Sequence, residues 1–288
     1  MCPAKAVPCQ APSPIRSQSS QAAAKKTGLR GRKHGGITFR QWLSLGVINP
    51  AMIKLVTFQK RVASLSRPQF EERWRTIHGP MAAAFPGLRG YLLGFSLDEG
   101  EPPADGIAQL WFDSREACQA SYASDIGRKG SADASAWLAR REHLLASEIW
   151  VGRRQPGMET PIKLLLCLKR AVADDRAAFL SWLRQVATAG VLCGQIGAEQ
   201  ARLSIDDAGL MLNSKVAGAL SLSAGEAPYD ALVELWFATR QAADTGRDRL
   251  RAWTEGGLAP RISHCEDALL REHVVMAAPA DGDNEGLE

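Results

Sequence analysis

The 288 residues predict an α+β protein made of two fused ferredoxin-like units, each with the element order βαββαβ. Two observations predict this fold: an internal repeat and the alternation of side chains in the repeated strands. Three segments recur in the same order: MIKLVTFQKR (52–61) as PIKLLLCLKR (161–170), QLWF (109–112) as ELWF (234–237), and EIWV (148–151) as EHVV (272–275). Matches in one order indicate a tandem duplication.

Local signals predict the elements of the first unit. Residues 53–60 form a strand, and Ser66, with Gln69 three positions later, begins a helix through a capping box. We expect this helix to end at His78-Gly79-Pro80, because glycine and proline both end helices. The other expected elements are strands at 88–97, 107–112 and 146–151 and helices at 113–123 and 133–142.

The second unit repeats this order with a less regular middle. Its expected elements are strands at 162–169, 231–237 and 270–276, a strand region within 201–222, and helices at 174–187 and 239–253. The chain then divides into a basic extension (1–51), a first repeat (52–152), a linker (153–160), a second repeat (161–276) and an acidic tail (277–288). Both ends have compositions that favour disorder.

The net charge of +4 comes from the N-terminal extension alone. Residues 1–51 hold eight of the 35 Lys and Arg residues and none of the 31 Asp and Glu residues, so the remainder has 27 basic and 31 acidic side chains. The repeats have no basic stripe, and we expect no nucleic-acid binding there. Three explanations for the extension stay open: a start codon assigned upstream of Met52, an organellar transit peptide, or a tail that binds nucleic acid or a membrane.

The sequence contains no familiar motif for a metal or a cofactor. The cysteines, at positions 2, 9, 118, 167, 193 and 265, have no metal-binding spacing. Scattered cysteines favour a reducing compartment such as the cytoplasm, and no apolar run approaches the roughly 18–20 residues of a membrane helix. A phosphate-binding loop, a nucleophile elbow, a dinucleotide fingerprint and a zinc helix motif are all missing from the sequence. Chemistry without a cofactor or metal, or simple binding, is therefore expected.

Strand alternation predicts a face that the two repeats share. The apolar set Ile162, Leu164, Leu166 and Leu168 should face the helices. By the same parity, the helix-free face carries Lys54, Val56, Phe58, Gln109, Trp111, Glu234 and Trp236. This face is too apolar to stay in water. We expect the repeats to cover each other, sheet on sheet, and to close a barrel around a small apolar cavity.

Four segments of the first repeat together resemble an EthD-type domain: MIKLVTFQKR (52–61), FEERWRTIHGP (70–80), PGLRGY (86–91) and AQLWFDS (108–114). The Trp-x-x-x-His-Gly-Pro element from Trp74 to Pro80 is the most specific part. The resemblance is strong over residues 52–151 and weak over 161–276. It implies the dimeric α+β barrel superfamily, whose members usually build the barrel from two chains. Here the two repeats would build it, and a further homodimer is possible.

The resemblance also implies a range of activities. The namesake of the family is associated with degradation of an ether fuel additive, and related fungal members resemble dehydratases or decarboxylating lyases that act on polyketides. We expect a cofactor-independent lyase or dehydratase that acts on a small hydrophobic, oxygenated or aromatic metabolite in the inter-repeat cavity. The alternatives are a non-catalytic binding or accessory protein of a catabolic pathway, and a haem-dependent or cofactor-free oxygenase.

His78 is the expected catalytic acid or base, because an imidazole titrates near neutral pH; its structural alternative is to cap the helix. The second repeat has Ala187 at the matching position, so this role would exist once per chain. Glu234 has two open roles, as a base with a raised pKa or as an ion-pair partner of Lys54 or Lys163. The expected substrate-binding residues are Lys54, Phe58, Trp74, Tyr91, Gln109, Trp111, Glu234 and Trp236. The weaker candidates for function are His143, His264 and His273.

Overall fold

The computed structural model describes residues 52–151, 162–205, 211–213 and 229–279. In the first repeat the elements are β1 (Ile53–Arg61), α1 (Arg67–Arg73), α2 (Gly79–Ala83), β2 (Leu88–Ser96), β3 (Gly106–Phe112), α3 (Arg115–Ala123), α4 (Asp125–Trp137) and β4 (Leu138–Trp150). In the second they are β5 (Ile162–Arg170), α5 (Arg176–Val186), β6 (Gln200–Ile205), β7 (Met211–Asn213), β8 (Ala231–Phe237), α6 (Arg240–Trp253) and β9 (Ile262–Met276). Short π-helical turns lie at Trp74–His78, Gly190–Gln195 and Thr254–Leu258, and a 3-10 turn at Ala259–Arg261.

Eight of the nine strands close a barrel in the order β1-β3-β2-β9-β5-β8-β6-β4, and β4 pairs again with β1. The two repeats join at two antiparallel seams, β2 with β9 and β4 with β6. The short β7 also pairs with β4. The protein is thus an α+β barrel of two fused ferredoxin-like units, as the repeat and the strand parity predict. No helix among the described residues is long and apolar enough to cross a membrane.

The first helix of each repeat starts in the same way. Ser66 caps α1 with the predicted capping box, accepting from the backbone of Gln69 while the Gln69 side chain accepts from the backbone of Ser66. Asp175, 109 residues later, caps α5 by accepting from the backbone of Ala178. The spacing of 109 residues therefore holds through these helices, and it places Ala187 at the position of His78.

The helix of the first repeat does not end at His78, contrary to the sequence prediction. It widens into the π turn over Trp74–His78, where the backbone N–H of Gly79 bonds to the carbonyl of Trp74, and continues as α2. Pro80 has no N–H and its ring would meet the carbonyl four residues earlier in a regular helix, so the wider turn lets the chain continue. A Cβ on Gly79 would lie 2.8 Å from the Trp74 oxygen, which explains the glycine. Such π turns frequently occur at functional sites.

The last strand of each repeat is longer than the sequence predicts. The helix expected at 133–142 is α4, which starts at Asp125 because Ser124 caps it, and β4 begins at Leu138 rather than at residue 146. In the same way β9 begins at Ile262 rather than at residue 270. Pairing along the full length of β1 and β5 holds these residues extended, and this tertiary pairing overrides local propensity.

The apolar side chains form three cores. One lies between the sheet and helices of each repeat, and the third lies inside the barrel. Val56 and Phe58 face the barrel interior and Leu55 packs beneath the helices, as the parity of β1 predicts.

Candidate active site

A network of charged and polar side chains fills part of the barrel interior. Strand parity correctly predicts that one face carries five buried side chains: Lys54, Gln109, Trp111, Glu234 and Trp236. Several of these side chains bind each other. Glu234, fully buried, accepts a hydrogen bond from Gln109 at 2.7 Å and one from the Lys54 ammonium. Opposite charges from the two repeats therefore satisfy one another at this level of the barrel, and the pocket between the repeats lies at the barrel end instead, beside Phe58.

Lys163, an expected partner of Glu234, completes this buried network together with residues that the sequence did not predict. Glu234 also receives hydrogen bonds from Lys163 at 3.0 Å, Arg202 at 2.9 Å and Ser204 at 2.7 Å. Glu148 and Glu272 supply two further carboxylates. The indole N–H groups of two interior tryptophans donate to these carboxylates, Trp111 to Glu148 at 2.6 Å and Trp236 to Glu272 at 2.7 Å.

The charge balance of this network decides the role of Glu234. Burial alone would raise the pKa of Glu234, but Arg202, Lys163 and Lys54 outweigh burial and hold that pKa well below its ordinary value. Glu234 is therefore an ion-pair partner and not a base with a raised pKa. Phe58 lies away from the network, in a pocket of about 410 Å³ between the two repeats at the barrel end, together with Cys167 and Tyr229.

A different pocket lies between the sheet and the helices of the first repeat. It encloses about 350 Å³ of space that protein atoms do not fill, including its opening to solvent. Its lining combines aromatic and polar side chains with small residues: Thr57, Gln59, His78, Ala82, Phe85, Tyr91, Ala108, Leu110, Tyr122, Gly130, Ser131, Arg141 and His143. Two predicted functional residues, His78 and Tyr91, therefore do line one pocket, on the helix side of the sheet rather than between the repeats.

His78 is held in this pocket by an aspartate. Its Nδ1 lies 3.0 Å from Asp133 Oδ2, which also accepts a hydrogen bond from the Trp137 indole at 3.1 Å. Arg73 binds the other Asp133 oxygen at 2.6 Å. Because Asp133 accepts, Nδ1 carries the proton and Nε2 is the basic atom of the ring. Burial lowers the pKa of His78 from its ordinary value, although the hydrogen bond and charge of Asp133 oppose the shift.

A second histidine shares the pocket. His143 is buried on β4, and its Nδ1 lies 2.9 Å from the hydroxyl of Thr57 on β1. Burial, with the nearby charge of Arg141, lowers the pKa of His143 to about 3. The ring is therefore neutral near pH 7 and can position a ligand by hydrogen bonding.

The other predicted residues of the first repeat have packing roles. Trp74 is fully buried in the helix–sheet core and donates from its indole N–H to the Tyr91 hydroxyl at 3.0 Å. Burial raises the pKa of Tyr91, so this phenol stays neutral at the pocket wall. His264 stacks on Tyr229 at the barrel end and His273 lies on β9, and neither of them lines the pocket that contains His78. In the described part of the chain no three His, Cys, Asp or Glu side chains are grouped as metal ligands.

The polar pocket of the first repeat has an apolar counterpart in the second. Leu166 and Leu168 on β5 stand 109 residues after Thr57 and Gln59 on β1 and occupy the matching positions. These leucines pack with Ala187 in a continuous apolar core. The signal was present in the sequence: β1 has two polar side chains at helix-facing positions where β5 has only leucines. That difference could have located the pocket before the structure.

Comparison with known proteins agrees with this architecture. An anthrone oxidase-like protein has 11% sequence identity and a TM-score of 0.54 over 80% of this chain and 96% of that one. A candidate monooxygenase from Fusobacterium nucleatum subsp. nucleatum has 5% identity and a TM-score of 0.50 over 80% of this chain and 96% of its own. At such low identity these similarities show the fold alone.

The similarity to the EthD family lies in the first repeat. An EthD family protein from Bacillus halodurans is 20% identical, with a TM-score of 0.28 over 36% of this chain and 99% of its own. None of the curated proteins compared with the chain matches it. Residues 63–141 match the EthD domain, a range that includes His78, Asp133 and Arg141. The chain therefore carries an EthD domain in the first of two fused ferredoxin-like repeats that close one α+β barrel.

Proposed function

We propose that this protein is a cofactor-independent enzyme that moves a proton on a small oxygenated or aromatic metabolite, as a lyase or dehydratase, with His78 as the base. The observation that carries the proposal is the partly buried His78–Asp133 pair in a pocket with aromatic walls. The EthD domain of this repeat and the fold shared with proteins named for oxidation of small molecules support an enzyme with a small-molecule site.

The geometry suits proton abstraction next to a carbonyl group. Because its pKa is lowered, His78 is mostly neutral near pH 7 and has Nε2 free of a proton. Nε2 takes the proton, and Asp133 stabilises the imidazolium that forms. The imidazolium then returns the proton to a hydroxyl group on the neighbouring carbon. The C–H and C–O bonds break, a C=C bond forms and water leaves, so the elimination balances without an added oxidant.

A cofactor-free oxygenase is the second candidate, favoured by the names of the two structural neighbours. It shares the first step, since proton removal by His78 would leave an electron-rich carbanion or enolate that reacts with dioxygen. Oxygen consumption separates the two candidates. The lyase reaction proceeds equally in air and under argon, and the oxygenase reaction stops under argon.

The test is turnover of β-hydroxy ketones that carry an aromatic ring, followed by the absorbance of the conjugated product. His78→Gln should lower kcat by about 10²- to 10⁴-fold, the usual contribution of a general base. His264→Gln, at the barrel end, is the matched control and should keep wild-type turnover. Turnover by His78→Gln equal to that of the control would rule out the catalytic role. If the wild-type protein binds these ketones in the pocket but does not convert them, the result would favour the alternative of a non-catalytic binding protein.

A further inference from the structure

We propose that Arg141 and Gln59 form a subsite that binds a negatively charged oxygen of the ligand next to a hydroxyl group, so that the ligand class is an aromatic hydroxy acid. The inference deepens the proposed function, because it concerns the ligand of the same pocket. Its evidence is independent of His78: one cation without an acidic partner and one buried amide oxygen without a donor.

Arg141 is a cation in the pocket wall with no carboxylate beside it in the described structure. Its one hydrogen bond is a long contact of 3.5 Å to the Ser135 hydroxyl, and it forms no ion pair with any described acidic residue. The nearby titratable groups that respond to its charge are His78, His143 and Tyr122. Other partly buried arginines of the first repeat are paired; Arg73, for example, binds Asp133 at 2.6 Å. A bound anion would supply the charge that Arg141 lacks.

Gln59 gives the second observation. Its side chain is 4% exposed, and its Oε1 has no hydrogen-bond donor in the described structure. A buried polar atom without a partner costs about 1–3 kcal/mol, and few such atoms occur in native proteins. Gln59 lines the pocket, so a hydroxyl group of a ligand can supply the missing donor.

The two side chains lie together because of the strand register. Gln59 on β1 pairs with Arg141 on β4, and Thr57 pairs with His143 two residues further along. Alternation places all four on the helix side of the sheet, where they form one polar wall. Phe85 and Tyr122, which pack edge to face with ring centres 5.1 Å apart, contribute aromatic surface to the same pocket.

This arrangement selects a particular ligand chemistry. A guanidinium binds a carboxylate through two parallel N–H groups, and an amide oxygen accepts from a hydroxyl. Aromatic walls favour a flat ring. An aromatic ring with a carboxylate and an adjacent hydroxyl group meets all three conditions. The second repeat has Leu168 and Cys265 at the positions of Gln59 and Arg141, so the subsite exists once in the barrel.

The test measures calorimetric binding of salicylate, benzoate and phenol to the full chain. Wild-type protein should bind salicylate most tightly and phenol least, because phenol has no carboxylate. Arg141→Gln should weaken salicylate binding at least about tenfold, the value of one charge-assisted hydrogen bond. Arg140→Gln removes the same charge from the neighbouring residue, whose guanidinium binds the Pro103 carbonyl, and should leave binding unchanged.

Gln59→Leu tests the hydroxyl contact. It should weaken salicylate binding but leave benzoate binding unchanged, since benzoate has no hydroxyl to donate. The proposal is overturned if wild-type protein binds none of the three probes, or if the Arg141 and Arg140 variants bind salicylate equally. Thermal unfolding of each variant shows that it is folded before it is titrated.

His78→Gln separates this inference from the proposed function. If that variant keeps salicylate affinity and loses turnover, both proposals stand. Unchanged turnover with a salicylate affinity that depends on Arg141 would leave the subsite and remove His78 from catalysis. Loss of turnover with salicylate affinity that does not depend on Arg141 would leave the enzyme and remove the subsite.

Discussion

The layers between sheet and helices differ sharply in the two repeats, although both are built on the same backbone plan. In the second repeat this layer is an apolar core, with leucines along β5 and Ala187 at the position of His78. In the first it contains Thr57, Gln59, His78 and His143 around a pocket. Buried polar groups with missing or weak partners reduce stability, and such costs concentrate at functional sites. The second repeat thus has an apolar core in this layer, and the first repeat has the polar pocket that we propose as the site.

The barrel interior shows a second difference at matching positions. Gln109 on β3 corresponds to Glu234 on β8, and the two side chains bind each other at 2.7 Å. Only the second repeat supplies the central carboxylate, which Lys54, Lys163 and Arg202 surround.

Glu234→Gln should have the largest effect. The change gives both repeats a glutamine at the matching positions 109 and 234. It also leaves Lys54, Lys163 and Arg202 without their central carboxylate. Removing one partner from a buried ionic network typically costs about 3–5 kcal/mol. Urea unfolding of the variant and wild type measures the loss of unfolding free energy.

The swap variant Gln109→Glu with Glu234→Gln is the control. It keeps the formal charge but moves the carboxylate away from Ser204, which bonds to Glu234 at 2.7 Å. We expect it to recover part of the lost stability. If the single variant is as stable as wild type, the network does not hold the repeats together.

Exchanging residues between the two layers should have the next largest effect. Leu168→Gln puts the amide of Gln59 into the apolar core of the second repeat, and we expect a loss of about 3 kcal/mol from lost apolar burial and an unpaired amide. The reverse change, Gln59→Leu, removes an oxygen that already lacks a donor. It should leave stability unchanged or raise it by up to about 1 kcal/mol. Equal losses in both variants would contradict the assignment of different roles to the two layers.

A pH-dependent loss of stability from His143 is the smallest expected effect. The pKa of His143 is about 3 in the folded protein and about 6.5 in an unfolded chain. Between these values the unfolded chain binds a proton that the folded protein does not, so stability falls as pH falls. His143 alone contributes a slope of about 1.4 kcal/mol per pH unit.

His143→Gln should reduce that slope by this amount. Urea unfolding at pH 6, 5 and 4 measures it, and differences between variants cancel the contribution of other groups. Leu145→Ala lowers stability without removing a titratable group, and its slope should equal that of wild type. The same slope in His143→Gln would mean that His143 is protonated in the folded protein.

The sequence predicts the fold and part of the candidate site for identifiable physical reasons. Repeats and strand parity depend on local periodicity, so the barrel and the inward positions of Lys54, Gln109 and Glu234 could be predicted. Whether charged side chains that point into the barrel leave a cavity depends on all of the groups that pair with them. One of these groups, Arg202, could not be predicted to point inward, because it lies in a region without a clear strand pattern. The ends of β4 and the π turn at His78 depend on tertiary pairing and on Pro80, beyond the reach of local propensity.

The closed barrel of one continuous chain has a consequence for symmetry. In a homodimeric barrel every substitution appears twice about the twofold axis, so a residue that meets its own copy must meet an identical side chain. A glutamate at the position of Gln109 and Glu234 would then face another glutamate, and a glutamine would face another glutamine. Fusion of the repeats removes this constraint. It permits a single central carboxylate with an amide neighbour, and by the same freedom one pocket can acquire polar groups while its counterpart becomes core.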